Sequence, residues 1–491
     1  METEAGPAAL PEGLSLVATL FSILRFSSVK KPEQEKAFIL AAILALTGCH
    51  KAASPPAPPE ILFTSGLKGF VAPCGCTSNP LGGIAKLVKY VEDARAAGRA
   101  PLIVTSGNFL YAQSQIAESA RAQEDARAGL VADIYRELGV TAQLPGPADK
   151  AALGTFANPW LREPKLVTAG GLHIAFMPLG AAAPAADLVV ALTEQGWEEA
   201  VHGSDGGADI IIAGGSEKLH QPQKVGKAWL VEAGEQGQYV GRLDFHSGAA
   251  GPWQYYDGGL GDKALLTRRL ASLDKQLGVA TEAVKPLLIE QRANVQKQID
   301  TLTTSPPPAP AGRYFSLATV TLDKTMADAA SVKKQIGAYN ATLCDLSKQS
   351  LANVTCPAGD PHFVGSAPCK SCHAAEFAQW ETTPHAHAVQ TLETAGKLCD
   401  LGCIGCHTVG WQKPGGLCKP QDLGTPPESG TLANVGCEDC HGPGSAHVAL
   451  PTAKLEANTP EATCRGCHTK EHSDLFDFAH YRPRIVHLPA H

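Results

Sequence analysis

At 491 residues with 44% hydrophobic side chains, the chain is long enough for roughly two to four domains and too apolar to be disordered throughout. A formal net charge of −7 gives no support for the basic surface that nucleic acids require, so no nucleic-acid partner is expected. Two residue types are unevenly spread: ten of the 15 cysteines and 12 of the 17 histidines fall between His362 and His491.

The first segment reads as an export leader. Lys30, Lys31 and Lys36 precede an apolar run from Ala37 to Leu46, too short to span a bilayer but suited to a signal-peptide core. The run ends in Leu46-Thr47-Gly48-Cys49, which resembles the bacterial lipobox. The resemblance implies lipid on Cys49, a membrane anchor at the mature N-terminus, and a lean toward the outer membrane. The Pro-rich stretch to residue 59 would be the tether. A leader over residues 1–48 is long, and Val29 is a candidate alternative start. Export implies an oxidising compartment in which disulfides persist.

Residues 60–260 alternate in period. Buried-strand candidates are 61–65, 101–106, 172–179, 186–192 and 208–215, with helical stretches at 84–97 and 116–138 between them. The pattern predicts a layered α/β or α/β/α domain. The segments TSGLKG…GGIAK (64–86), VTSGNF (104–109), PGPAD (145–149), GADIIIAGG (207–215) and VEAGEQGQYVGRLDF (231–245) resemble the calcineurin-like metallophosphatase domain of 5′-nucleotidases. That family's two-metal chemistry needs imidazole and carboxylate ligands at strand ends. Its D-x-H is here Gly66-Leu67-Lys68, and the Asp of its G-D motif is Asn108. Its G-N-H-D is Gly146-Pro147-Ala148-Asp149, Glu194 replaces one histidine, and its G-H-x-H is Gly214-Gly215-Ser216-Glu217. Only Asn108 and Asp149 keep ligand chemistry, so the expectation is an inactive scaffold. His173, His202, His220 and His246 read as ordinary structural or surface histidines.

Residues 261–350 follow. Val284, Leu288, Gln291, Val295, Ile299 and Leu302 recur at helical spacing and predict a helical hairpin arm, of a kind that usually packs on its parent domain. A strand is expected at 313–323 and a helix at 329–347.

Residues 356–491 carry C-x-x-C-H four times: Cys369-Cys372-His373, Cys403-Cys406-His407, Cys437-Cys440-His441 and Cys464-Cys467-His468. This is the pattern of covalent haem c, two thioethers and an adjacent histidine on the iron. Zinc would need paired C-x-x-C units and leaves the four histidines unexplained. Four haems c are therefore expected. With Cys49 set aside, six cysteines remain, and 74–76, 344–356 and 399–418 are the simplest disulfides for Cys74, Cys76, Cys344, Cys356, Cys399 and Cys418. No methionine lies in this region, so the irons are expected to be bis-histidine, or histidine with an open position. The histidines available are His362, His385, His387, His447, His472, His480, His487 and His491.

WETTPHAHAVQTL (380–392), CHGPGSAH (440–447) and FDFAHYRPRIVH (476–487) resemble the tetrahaem cytochrome c554 family. The resemblance implies short helices and loops wrapped on packed haems, with His385, His447 and His487 as distal ligands. The fourth distal ligand stays open among His362, His387, His472 and His480, or absent. His447 lies too near its own motif to circle that haem and is expected to reach a neighbouring one. The whole chain is expected to be α+β and multidomain. It would pass electrons to redox partner proteins such as other cytochromes, or else act as a multihaem redox enzyme on a small nitrogen compound. Phosphatase activity is not expected.

Overall fold

A computed structural model describes residues 58–73, 80–152, 160–423, 432–469 and 472–487. The leader, Cys49, Cys74, Cys76 and His491 lie outside the described residues.

The first elements are β1 (Glu60–Ser65), α1 (Ile84–Ala96), β2 (Leu102–Gly107), α2 (Glu118–Leu138) and β3 (Ala142–Pro145). Next come β4 (Lys165–Ala169), β5 (Leu172–Pro178), β6 (Leu188–Leu192), β7 (Ile210–Ile212), β8 (Gln223–Val225) and β9 (Ala228–Val231). The antiparallel strand β10 (Tyr239–His246) precedes β11 (Ala249–Tyr255). Two helices, α3 (Leu260–Val279) and α4 (Lys285–Thr304), separate β11 from β12 (Gly312–Thr321), and α5 (Ala330–Ser350) follows.

Twelve strands form two six-stranded sheets, ordered β11-β12-β10-β1-β2-β3 and β4-β5-β6-β7-β9-β8. β1, β2 and β3 run parallel, as do β5, β6, β7 and β9. Parallel strands covered on both faces read as near-continuous apolar runs, which is why these were visible in the sequence. The sheets pack face to face. Ile61, Phe63, Val104, Phe245 and Phe315 of one meet Ile174, Phe176, Val190, Ile212 and Val231 of the other. Leu62 and Ile103 point the opposite way, under Val88 and Val91 of α1 and Val131, Ile134 and Tyr135 of α2. The expected layered α/β domain is thus built on two sheets, where α/β/α would have one. Strand alternation carries residues to both faces but does not reveal that a second sheet, not a helix layer, covers one of them.

β12 lies between β10 and β11, so the arm is an excursion between two strands of the same sheet. Its helices bury Leu273, Leu288, Val295 and Ile299 against one another, with Arg292 paired to Asp274 at 2.6 Å. α5 returns to the first region, adding Val332 to the core under α2. Its C-terminal half carries Cys344, which is bonded to Cys399 of the Cys- and His-rich segment.

There the elements are short. They include helices Ala374–Glu381, α6 (Ala388–Thr394), Cys437–His441, Ser445–Ala449 and Glu461–Arg465, with 3-10 turns at Ala367–Ser371 and Ile404–Cys406. A small core of Val389, Leu392, Ile404, Leu417, Leu423 and Ala433 supports residues up to 433. From 434 to 487 no apolar side chain of a described residue is buried. Overall the fold is α+β.

The disulfides pair Cys344 with Cys399 and Cys356 with Cys418. This corrects the expected 344–356 and 399–418. Nearness in sequence suggested local links, but α5 ends against the 395–401 loop, which brings Cys399 to Cys344. Phe363 N–H donates to the Pro414 carbonyl at 2.8 Å, drawing the Cys356 segment toward Cys418.

Candidate functional site

Each C-x-x-C-H motif sits on one turn of helix. His373 N–H donates to Cys369 O at 2.9 Å and His468 N–H to Cys464 O at 2.8 Å. Residues three apart on a turn share a side, so both thiols of a motif point one way with the histidine beside them. All eight motif cysteines are free of disulfides.

Six histidines form three facing pairs. His373 and His447 have ring centroids 6.1 Å apart with planes at 29°; His441 and His487 are at 6.1 Å and 16°. His385 and His468 are at 6.2 Å and 53°. That spacing is too wide for ring stacking. It is the spread expected of two imidazoles on either side of one metal, each bound at roughly 2.0 Å. The other ring nitrogen is held by protein. Nδ1 of His441 donates to Glu456 O at 2.6 Å, that of His447 to Ala453 O at 2.7 Å, and that of His468 lies 3.0 Å from Ser473 Oγ. Such bonds fix the tautomer and leave Nε2 for a metal. Burial pushes the pKa values of His385, His468 and His487 down, favouring the neutral imidazole that ligation uses.

His407 differs. Its Nδ1 donates to the Ala388 carbonyl of α6 at 2.6 Å, yet no imidazole faces it among the described residues. His362 is bound to Asp360 at 2.7 Å, His387 Nε2 to Glu381 O at 3.1 Å, His472 to Thr469 at 2.9 Å, and His480 to Arg484 at 2.8 Å.

The pairing of His447 with His373 has a visible cause. Glu438, an unnamed position inside the third motif, is buried and accepts N–H bonds from Val364, Gly365 and Gly444 at 2.9, 2.6 and 2.6 Å. Ser445 and His362 exchange two more, at 2.9 and 3.1 Å. These bonds stitch the first motif's approach to the third motif's exit. Trp380 Nε1 donates to Val435 O at 2.9 Å, and Val435 N–H donates to His385 O at 3.1 Å, which seats His385. Sequence reasoning missed Glu438, although an acid flanked by Gly436, Gly442 and Gly444 was a signal.

Motifs touch each other as well. The Cys369 thiol is hydrogen-bonded to Cys437, and Cys467 to Cys406, contacts that push the Cys369 and Cys467 thiols up. Four attachment sites therefore cluster. Val448, Leu450, Leu475 and Val486, beside the facing histidines, are uncovered by protein. Histidine pairs, thiol pairs outside any disulfide and an interior without side-chain core together fit haem. Among the described residues no three His, Cys, Asp or Glu side chains gather as a metal site, whereas zinc needs four ligands.

The other candidate lies at the carboxyl ends of β1, β2, β3, β6 and β7, where open α/β sheets bind ligands. Lys68, at φ 56°, pairs with Glu235 at 2.7 Å, and Lys150 pairs with Glu194. Asn108 Oδ1 accepts from Ala148 N–H at 3.0 Å. Asp149, 1% exposed, accepts from Phe109, Leu110 and Tyr111 at 2.8, 3.0 and 3.0 Å. Burial nonetheless pushes its pKa up to about 6. The loops touch: a Cβ on Gly107 would stand 2.0 Å from Gly214 O, and one on Gly66 2.9 Å from it. His220 stacks on Trp197 and His246 on Tyr314, each at 4.5 Å, and His173 contacts Asp187. Residues present here do not fit a two-metal centre.

Residues 368–442 match the family model of cytochrome c554 and c-prime. The match lies within the Cys- and His-rich region, which is similar to the cytochrome c554 family there. Cytochrome c-554 of Nitrosomonas europaea is 34% identical over 104 residues, covering 18% of this chain and 41% of that relative. The chain thus spans less than half the length of this curated relative. Two Thermus thermophilus structures are also similar to the chain. The sulfate thiohydrolase SoxB has a TM-score of 0.35 and 13% identity, covering 59% of this chain and 61% of that one. A 5′-nucleotidase precursor has 0.36 and 12%, covering 69% and 68%. The matched residues include three of the four C-x-x-C-H motifs, the pattern of covalent haem c.

Proposed function

We propose that the chain is an electron-transfer protein with four covalent haems c, exported and held at a membrane surface through lipid on Cys49. Cys369/Cys372, Cys403/Cys406, Cys437/Cys440 and Cys464/Cys467 would hold them, with His373, His407, His441 and His468 as proximal ligands. The observation that carries this reading is the set of three facing histidine pairs. It makes His447 the distal partner of His373, His487 of His441, and His385 of His468. Bound haem supplies reversible one-electron chemistry. The protein's part is to hold the sites close, fix imidazole tautomers and exclude water. Thiol contacts between the first and third motifs, and between the second and fourth, favour pairing the sites first with third and second with fourth. Redox proteins such as other cytochromes would be donor and acceptor.

The region of residues 60–260 is proposed as a catalytically inactive scaffold. The Lys68–Glu235 pair and the backbone-saturated Asp149 support this. Among the described residues no helix is long and apolar enough to cross a membrane.

A second reading is favoured by His407, which lacks a facing imidazole: a redox enzyme for a small nitrogen compound at that site. One experiment separates the readings. Intact mass of the purified protein should exceed the apo mass by about 2.5 kDa, four haems, with three low-spin signals in a redox titration. A smaller increment overturns the assignment of four. Turnover of a nitrogen oxide or hydroxylamine at a carbon monoxide-binding haem would favour the enzyme. Manganese-dependent phosphate release from a nucleotide would overturn the scaffold reading.

A further inference from the structure

We infer that the α/β region mounts the second haem site, and that Gln123 of α2 is its positioning residue. Gln123 lies 5% exposed on a helix that otherwise belongs to the α/β core, yet its three side-chain hydrogen bonds leave that core. Its amide nitrogen donates to Leu343 O at 2.9 Å and Cys399 O at 2.7 Å. Its amide oxygen accepts from Leu401 N–H at 2.9 Å. Two carbonyls and one N–H around one amide define its orientation and use nearly its whole capacity. Tyr339 of α5 adds a bond to the Gln123 carbonyl at 3.4 Å.

A second tie, of different chemistry, meets the first. Cys344, next to Leu343, is bonded to Cys399, so a disulfide and a buried amide grip the same three residues, 399–401. From there the chain has little freedom. Cys403 and Ile404 N–H groups both donate to Asp400 O at 3.0 Å, and Ile404 is fully buried. Leu401 is two residues before Cys403, so the mount acts directly on the C-x-x-C-H turn.

Three of the four sites have a second imidazole to fix their geometry. The His407 site has one histidine, held by Ala388, so the position of its turn determines where any group attached there sits. Loosening the mount should therefore be felt at this site and not at the paired ones. A buried glutamine that merely satisfied two carbonyls would lower stability without that selectivity. The inference rests on the four-haem reading above.

The test uses the full, haem-loaded protein with Gln123→Met, which keeps length and removes all three bonds. Haems are counted by mass, low-spin and high-spin signals are recorded separately, and carbon monoxide association is timed. The expected result is four haems, three unchanged low-spin signals, and an altered high-spin signal. Carbon monoxide association should change roughly fivefold, the factor equivalent to one hydrogen bond of about 1 kcal/mol. An unchanged high-spin signal and rate, or equal change at all four haems, overturns the inference. Should Gln123→Met fail to fold, Cys344→Ser with Cys399→Ser cuts the same mount and is read identically. A wild-type protein with fewer than four haems or no carbon monoxide binding removes the underlying reading, and the inference with it.

Discussion

The two halves of the molecule solve the same problem with different materials. The double-sheet region buries Phe63, Phe176, Phe245, Trp253, Phe315 and fifteen aliphatic residues in the core between its sheets. Residues 434–487 bury no apolar side chain among those described, and leave Val448, Leu450, Leu475 and Val486 uncovered. Burial of apolar surface is the main favourable term in folding, so the first region can stand on its side chains and the second cannot. Its missing interior is the volume that attached cofactors would fill. A low content of buried apolar residues therefore signals a cofactor core here, not disorder.

The sharpest way to break this contrast is to prevent haem attachment by replacing all eight motif cysteines with alanine. Hydrogen exchange should then lose protection throughout 434–487, while Leu172–Pro178 and Leu188–Leu192 stay protected. Protection surviving at 437–447 would show that the region has a core of its own.

A core truncation in the other half should do the converse. Phe176→Ala, at a fully buried site, is expected to cost about 3–5 kcal/mol in urea unfolding. Low-spin haem signals should not change. Altered haem spectra would mean that the two halves do not divide the work as described.

A smaller change sharpens the cofactor side alone. His447→Ala removes the imidazole facing His373, and one low-spin signal should become high-spin while the others persist. Loss of two signals would place His447 elsewhere.

The smallest effect is a slope. Burial raises the folded-state pKa of Asp149 to about 6, against roughly 3.9 unfolded. Between those values the folded protein keeps a proton that the unfolded chain has lost. Its contribution to stability is complete below about pH 4 and is lost as pH rises through about 6. Asp149→Asn should remove this part of the pH dependence, read as urea midpoints across that window. An unchanged slope would mean that the carboxylate is ionised in the folded state throughout.

How much of this was legible in the sequence follows from which interactions are local. The five strand candidates all appear as strands, because buried parallel strands are apolar runs. β10 was read only as part of a family-like segment, although half-buried Arg242, Asp244 and His246 alternate with buried Leu243 and Phe245. The four C-x-x-C-H turns were plain, being five residues long. The facing of His447 with His373 depends on Glu438 reaching residues 364 and 365, some 70 positions away. Gln123 reaches Cys399 across 276. No period or motif encodes such a reach, and both residues looked like filler. The disulfide pairing failed for the same reason.

That pairing has a consequence of its own. Cys344–Cys399 and Cys356–Cys418 interleave along the chain, with 356 inside the first loop and 399 inside the second. A single cut of the backbone anywhere from 345 to 417 is therefore always spanned by at least one bridge. Side-by-side bridges would let one cut between 356 and 399 release everything downstream. With crossed bridges, a protease that nicks an exposed loop around the first two C-x-x-C-H turns severs a peptide bond but parts nothing, until a reductant arrives as well.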